Sequence, residues 1–464
     1  MGLGNTAVVI LAAGRGTRMR SAMAKALHPL GGVPLVEHVV RAVRLAGLST
    51  PWVVVGFQAE RVEEILEAKA YSVRQPLLRG TGDALLRALD AIGDGYDQVL
   101  VLYGDGPLVP PDLIQELLAV HQAGGAACTL VSTMMPDPSG YGRIVRAADG
   151  QVAAIAEERE ASPAQRAIRE INTGLGVWRV AGLRRILAEL PWHGEEQYLT
   201  DAVTGLLAQG AKVEAMVAPD CKRVMGINTR RELAEAEAIM RRLTLDRMLE
   251  AGVTILDPAT TYIDAEVEIG QDTVIHPMTF LRGATKVGRD CELGPMTTIT
   301  ASRLADGVVV TRSVVEQSVL ASKARVGPFS HLRAGTSLDR DVKIGNFVEL
   351  KNTRVGIGTK AGHHAYLGDA TIGGRVNIGA GTIIVNYDGI AKNPTFIGDE
   401  AFVGCNVNLV APVEIGPGAY VAAGSTVTQN VPGEALAIAR ARQENKTGWV
   451  TTWKLQGGDR APRP

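Results

Sequence analysis

The sequence predicts an α/β domain with a mostly parallel sheet, then a long connecting helix, then a parallel β-helix of hexapeptide repeats. Three observations carry this prediction. The first is a period of six in the second half of the chain. Ile263, Ile269, Ile275, Leu281, Val287, Leu293 and Ile299 form one unbroken series, and Val314, Leu320, Val326, Leu332, Leu338, Ile344 and Leu350 form another. After a phase slip the period returns at Ile372, Ile378 and Ile384, then at Ile397, Val403, Leu409, Ile415, Val421 and Val427. The second observation is an alternation of buried-strand runs with helical patterns over the first half. The third is a helical stretch after Thr229 that separates the two patterns.

A period of six fits neither the helix repeat nor plain strand alternation. It fits a triangular coil in which one inward aliphatic per hexad fills the prism. Glycine often follows that aliphatic, as in Ile344-Gly345 and Ile378-Gly379, and lets the corner turn where a Cβ would obstruct it.

At 464 residues the chain has room for two or three domains. A net charge of −1 shows no bias towards nucleic acid, and an aromatic content of 4% suits a solenoid of small β-branched side chains. Cys128, Cys221, Cys291 and Cys405 are scattered without a C-x-x-C pair. That pattern argues against a disulfide framework or zinc site and for a reducing cytosol. No segment reads as a membrane span, and Gly14, Arg15 and Arg18 directly after the first apolar run do not suit a cleavable signal. A cytoplasmic protein is expected.

In the first half, Ala7-Val8-Val9-Ile10-Leu11 reads as a buried strand opening into Ala12-Ala13-Gly14-Arg15-Gly16-Thr17-Arg18-Met19. Such a loop sets backbone N–H groups against phosphates. Met19 replaces the third glycine of the dinucleotide fingerprint and no Walker lysine follows, which excludes a dehydrogenase or a P-loop. Trp52–Val55 predicts a strand, the stretches from Arg61 to Ala70 and from Asp83 to Ala91 predict helices, and Val99–Tyr103 predicts a further strand. This alternation argues a mostly parallel sheet, with ligands beyond the carboxyl ends of its strands. Asp105, in Tyr103-Gly104-Asp105-Gly106-Pro107, stands there and is well placed for magnesium (Mg2+), which keeps few protein ligands. Thr229-Arg230-Arg231-Glu232 has capping-box spacing and opens a helix reaching about Leu249. The expected divisions are residues 1–228, a helical arm 229–251, the β-helix 252–440 and a tail 441–464.

The loop signature, continued by Lys25-Ala26-Leu27-His28-Pro29-Leu30-Gly31-Gly32, resembles that of the sugar-1-phosphate nucleotidyltransferases, with Ala24 where that family has proline. Gln75, Gly80-Thr81, Gly142, Glu157, Asn172-Thr173-Gly174 and Asn228 match its uridylyltransferase branch in order. The resemblance implies a Rossmann-like nucleotidyltransferase fold in which Arg18 and Lys25 are catalytic. It implies that Leu11, Ala12, Ala13, Gly14, Lys25, Tyr103 and Gly104 line the nucleotide-sugar site. Gln75, Gly80 and Thr81 would hold the uracil, Gly142, Glu157 and Asn172 the sugar, and Asp105 and Asn228 the metal.

The repeats in turn resemble the left-handed β-helix of the hexapeptide acyltransferases. Between Arg333 and Tyr387 their outward positions gather Arg333, Glu349, Lys351, His363, His364, Tyr366, Asn377, Asn386 and Tyr387, which a purely structural coil does not need. From about Val8 to Trp449 the chain is similar to bifunctional enzymes that join a sugar-phosphate uridylyltransferase to an acetyltransferase. That resemblance implies acetyl transfer from acetyl-CoA to glucosamine-1-phosphate. Uridylyl transfer from UTP to N-acetylglucosamine-1-phosphate would follow, giving UDP-N-acetylglucosamine, a cell-wall and lipopolysaccharide precursor, and pyrophosphate.

By the same resemblance Arg333 and Lys351 would clamp the sugar phosphate, a guanidinium fork and a point charge suiting a dianion. His363 would be the general base, because imidazole titrates near working pH. Tyr366, Asn377 and Asn386 would orient the sugar, and the Tyr387 N–H would meet charge developing on the thioester oxygen. Glu349 would either orient His363 or contact the substrate, and His364 would be structural or face solvent. Ala380 and Ala423 would line the pantetheine channel, with Asn386, Tyr387 and Cys405 beside acetyl-CoA and Arg440, with Lys446, at its phosphates; Cys405 stands where the family commonly has serine. A homotrimer sharing its acetyl-transfer sites between neighbours is implied. The alternative is a nucleotidyltransferase whose β-helix only oligomerises or regulates.

Overall fold

The computed structural model describes residues 5–158 and 160–455. The described residues form two compact units. One comprises those up to Asp246 together with Asp264–Glu266, the other Arg247–Ile263 and those from Val267 onward.

The first unit is built on a nine-stranded sheet. Its strands are β1 (Thr6–Leu11), β2 (Trp52–Val55), β3 (Tyr71–Arg74), β4 (Gln98–Tyr103), β5 (Cys128–Met134), β6 (Arg143–Arg146), β7 (Val152–Ala156), β8 (Glu170–Arg179) and β9 (Val213–Ala218). The path runs β9-β5-β8-β4-β1-β2-β3, with β6 and β7 branching from β8. β1 is parallel to both β2 and β4, whereas β8 runs antiparallel to β4 and β5. Alternation along β1 divides its residues between two cores. Val8 and Ile10 pack with the helix Leu35–Leu45 (α1), and Ala7, Val9 and Leu11 with the helix Gly80–Ile92 (α3). Both faces are covered, which is why β1 reads as continuous apolar sequence rather than as alternation.

The helix expected from Arg61 to Ala70 runs Ala59–Leu66 (α2); it stops early because Ala68 adopts a left-handed φ of 59°. α3 begins earlier than expected, so that Gly80 and Thr81 form its first turn. The arm is a helix at Arg230–Glu250 (α4). Its capping box forms as expected: Thr229 Oγ1 accepts from Glu232 N at 3.2 Å and Glu232 Oε2 accepts from Thr229 N at 2.8 Å.

The second unit is a left-handed parallel β-helix of short strands. Inward aliphatics stack coil on coil: Ile263 pairs with Leu281, Leu281 with Ile299 and Ile299 with Val315. The last pair corrects one expected position. Val315, not Val314, faces inward, and Val314 is exposed. The coil from Ile299 turns two of its corners in five residues, through Leu304, Val310 and Val315, so the strict period of six fails there. The phase slip before Ile372 comes from two further five-residue sides, Leu350 to Val355 and Leu367 to Ile372. The longer step from Ile384 to Ile397 is a loop between Val385 and Thr395, closed by a bridge between Tyr387 and Lys392. Among the described residues no helix is long and apolar enough to cross a membrane.

Candidate active sites

In the first unit the chain leaves β1 towards β2 and β3 on one side and returns to β4 on the other. This is a topological switch point, where open α/β sheets bind ligands beyond their carboxyl ends. Leu11 and Tyr103, the last residues of the two strands, are Cα partners, so the loops after them start side by side. A cleft of about 450 Å³ opens there. It is lined by Leu11, Ala12, Ala13, Gly14, Lys25, Gln75, Gly80, Thr81, Tyr103, Gly104 and Asp105, all expected, and also by Glu196 and Tyr198. Gly104 permits the approach of the two loops, since a Cβ there would lie 2.8 Å from the Cβ of Ala12.

The polar residues converge on one point. Lys25 Nζ forms an ion pair with Asp105 and donates to Asn228 Oδ1 at 2.9 Å, and Arg18 donates to the same oxygen at 2.8 Å. Ile227 N donates to Asp105 O at 2.8 Å, which stitches two distant stretches of chain together. Glu232, in the first turn of α4, accepts from Asn228 N at 2.6 Å and so fixes that residue from behind. Asp105 and Asn228 each turn an oxygen towards the same cationic atom. Two such ligands suit Mg2+, which leaves most of its shell to water and phosphate.

Gln75 is buried, and its Nε2 donates to Gly80 O at 3.0 Å and Asp83 Oδ2 at 2.7 Å, which leaves Oε1 to receive a ligand N–H. Gly142, Glu157 and Asn172 lie outside that lining but close to one another. Asn172 N donates to Gly142 O at 2.8 Å, and a Cβ on Gly142 would stand 3.4 Å from Glu157 Oε1. Asn172 opens a β-bulge in β8, a device that re-aims side chains near sites. Tyr103 joins the two groups: the ring packs on Gly174, and burial, then the Asp105 and Glu157 charges, push its hydroxyl pKa up.

Ala24 has φ −58° and ψ 141°, the region a proline would impose. Its N–H, which proline lacks, donates to Gln58 Oε1 at 2.9 Å, while Gln58 Nε2 donates to Ala22 O at 3.0 Å. Gln58 thereby clamps the segment leading into Lys25.

In the second unit the strands Lys343–Lys351 (β10) and Lys360–Gly368 (β11) bring the acetyl-transfer candidates together. Asn346, Glu349 and Lys351 pair across the coils with His363, Tyr366 and Gly368. Asp369 is a hub that the sequence reading missed. It meets Lys351 Nζ at 3.3 Å, Asn352 Nδ2 at 2.9 Å and Asn386 Nδ2 at 2.5 Å. Burial works to raise its carboxyl pKa, yet these hydrogen bonds together hold it below its ordinary value. Asn386 Nδ2 also lies 3.5 Å from the Tyr366 hydroxyl. Lys392, likewise missed, is pushed down by the neighbouring Lys351 ammonium and by Arg333 at longer range, so three cations share one flank.

Of the two roles left open for Glu349, the link to His363 is not formed. Glu349 Oε1 accepts from Arg333 at 3.0 Å, and the His363 ring instead meets Asn346 Oδ1 at 2.5 Å. Register decides this, because Asn346 is the residue directly across from His363. His364 is exposed with φ 41° and stacks on Phe347 at 4.9 Å. Asn377 lies on the neighbouring face, as the partner of Lys360. Tyr387 is exposed and its hydroxyl donates to Gly389 O at 2.7 Å.

The small residues expected at acetyl-CoA form one column. Gly381 N donates to His364 O at 2.7 Å, Asn406 N to Ala380 O at 2.7 Å and Gly424 N to Cys405 O at 2.8 Å. His363, Ala380, Cys405 and Ala423 therefore occupy equivalent positions of successive coils. With a strand spacing of about 4.8 Å the column extends on the order of 14 Å. Cys405 is an exposed free thiol in it. Arg440 follows, its Cδ 3.6 Å from where a Cβ of Gly424 would be, and Lys446 lies exposed beyond. The missed partners Asn346 and Asp369 carry one signal: each lies 17 residues from its contact, His363 and Asn352 respectively, one turn of the coil.

A doubly wound nucleotide-binding unit followed by a hexapeptide β-helix, each with its own polar constellation, defines a two-site transferase. The MobA-like NTP transferase domain matches residues 8–175, and the bacterial transferase hexapeptide (six repeats) matches residues 394–429. Bifunctional protein GlmU of Acetivibrio thermocellus is 46% identical over 444 residues, covering 95% of this chain and 96% of that protein. The protein of that name from Koribacter versatilis is 45% identical over 455 residues, with 96% of each chain covered. That of Brevibacillus brevis is 46% identical over 452 residues, covering 97% of this chain and 98% of its own. The chain belongs to the family of bifunctional GlmU proteins.

Proposed function

We propose a division of labour in which each unit carries one complete reaction. The chain is a bifunctional UDP-N-acetylglucosamine diphosphorylase and glucosamine-1-phosphate N-acetyltransferase, and the residue roles that follow are this reading. In the second unit Arg333, Lys351 and Lys392 hold the sugar phosphate, and Tyr366, Asn377 and Asn386 set the ring. His363 takes a proton from the glucosamine ammonium. The freed amine attacks the thioester carbon and the C–N bond forms. The C–S bond breaks as His363 returns its proton to the departing thiolate, and the second proton on the new amide nitrogen leaves to solvent. The Tyr387 N–H receives the charge on the carbonyl oxygen. Acetyl-CoA extends along the Ala380–Cys405–Ala423 column towards Arg440.

In the first unit a phosphate oxygen of N-acetylglucosamine-1-phosphate attacks the α-phosphorus of UTP, and the bond to the β-phosphate breaks to release pyrophosphate. Arg18 and Lys25 offset the charge that builds there. Gln75, Gly80 and Thr81 seat the uracil, and Gly142, Glu157 and Asn172 seat the sugar. Asp105 and Asn228 hold Mg2+, which when bound neutralises phosphate charge. A homotrimer completes the acetyl-transfer sites, and the protein works in the cytoplasm. The observation that carries this reading is that the two constellations lie in separate compact units.

Asp105→Asn, or EDTA on the wild type, is expected to abolish UDP-N-acetylglucosamine formation and leave thiol release from acetyl-CoA within about twofold, since the lost ligand serves only one site. Loss of both activities by either treatment would refute separate sites.

A further inference from the structure

We infer that Asn346 is the positioning residue that selects which nitrogen of His363 takes up the amine proton; the inference rests on the acetyl-transfer reading above. The His363 Nδ1 stands 2.5 Å from Asn346 Oδ1. An amide oxygen only accepts, so the ring donates Nδ1–H to it and the lone pair of the neutral imidazole falls on Nε2. The backbone builds this contact: the two residues are Cα partners on adjacent coils of β10 and β11. Beside them Gly345 lets the coils close, since a Cβ there would lie 1.9 Å from Gly362 O. A bulkier corner would separate the amide from the ring.

The acceptor is neutral, and that has a chemical consequence. The ionisable groups on β10 are Lys343, Glu349 and Lys351, and on β11 Lys360, His364 and Tyr366. The next coil, from Asn377 to Val385, carries none. Glu349 is bound to Arg333 and Lys351 to Asp369. Asn346 thus fixes the tautomer and ring plane without placing a negative charge beside the imidazolium, so the proton gained from the amine is readily returned to the thiolate.

The test is steady-state acetyl transfer by the full-length protein, with glucosamine-1-phosphate and acetyl-CoA, for the wild type, His363→Ala, Asn346→Ala and Asn346→Asp. Asn346→Ala is expected to lower kcat by about 10–100-fold, as loss of an orienting partner commonly does, with little change in sugar-phosphate KM and none in uridylyl transfer. Asn346→Asp, which keeps shape and acceptor, is expected to restore most of kcat at alkaline pH. Its acid limb should move to higher pH by about one unit, because a carboxylate now stabilises the imidazolium. If His363→Ala loses acetyl transfer while Asn346→Ala keeps it, or if the Asp variant shows an unshifted profile, Asn346 has no positioning role. If His363→Ala itself keeps acetyl transfer, the general-base reading fails, and this inference with it.

Discussion

Ala24 shows how one residue's geometry can be kept by another's hydrogen bonds. A proline there would fix φ covalently; here the same φ is maintained while Gln58 holds the N–H of Ala24 and the carbonyl of Ala22. Lys25, the next residue, is thereby delivered to Asp105 and Asn228. Gln58→Ala is expected to reduce kcat/KM for uridylyl transfer about 5–150-fold, the worth of two ordinary hydrogen bonds, and to spare acetyl transfer. Ala24→Pro in the same chain should recover most of that loss, because the ring replaces the clamp. Equal activity of Gln58→Ala and wild type would show that the loop needs no clamp. Nothing in the string around Lys25 announces Gln58, which lies 34 residues from Ala24 and acts only once β1 and β2 are adjacent.

At the scale of the element, the coil corners decide what the β-helix can do. Gly345 has no positive φ to explain it; sterics alone require it, because Gly362 O occupies the place of its Cβ. Gly345→Ala should destabilise the β-helix by about 1–3 kcal/mol through overpacking. Calorimetry should show the β-helix transition lowered by several degrees, with acetyl transfer impaired and uridylyl transfer retained. An unchanged transition would mean that the corner relaxes freely. The period of six makes the inward stack legible in the sequence, since one aliphatic per hexad is a local pattern. It failed at Val314, where five-residue sides shift the inward position to Val315, and no local signal marks a shortened side.

At the scale of the whole molecule, the candidate acetyl-transfer residues lie on an open flank, with Arg333, His363 and Tyr387 all in solvent. A flank of this kind becomes a cleft only when another surface covers it, which is the physical basis for the proposed trimer. Dilution or an interface substitution, followed by light scattering, should therefore abolish acetyl transfer in step with loss of the trimer while uridylyl transfer persists. Full acetyl transfer by a demonstrated monomer would overturn the shared site.

Sequence alone determined the two fold types and their order and named most of the candidate residues of both units, because each rests on a pattern carried within a few residues: a strand running into a glycine loop, a carboxylate at a strand end, an aliphatic every sixth position. Tertiary structure alone decided who touches whom across coils and strands. It assigned His363 to Asn346 rather than Glu349, made Asp369 the hub of Lys351 and Asn386, and set Glu232 behind Asn228. Those contacts depend on register, and a shift of one residue turns a side chain to the opposite face of its strand. Register is set by the summed packing of every coil and loop, so no short stretch of sequence contains it.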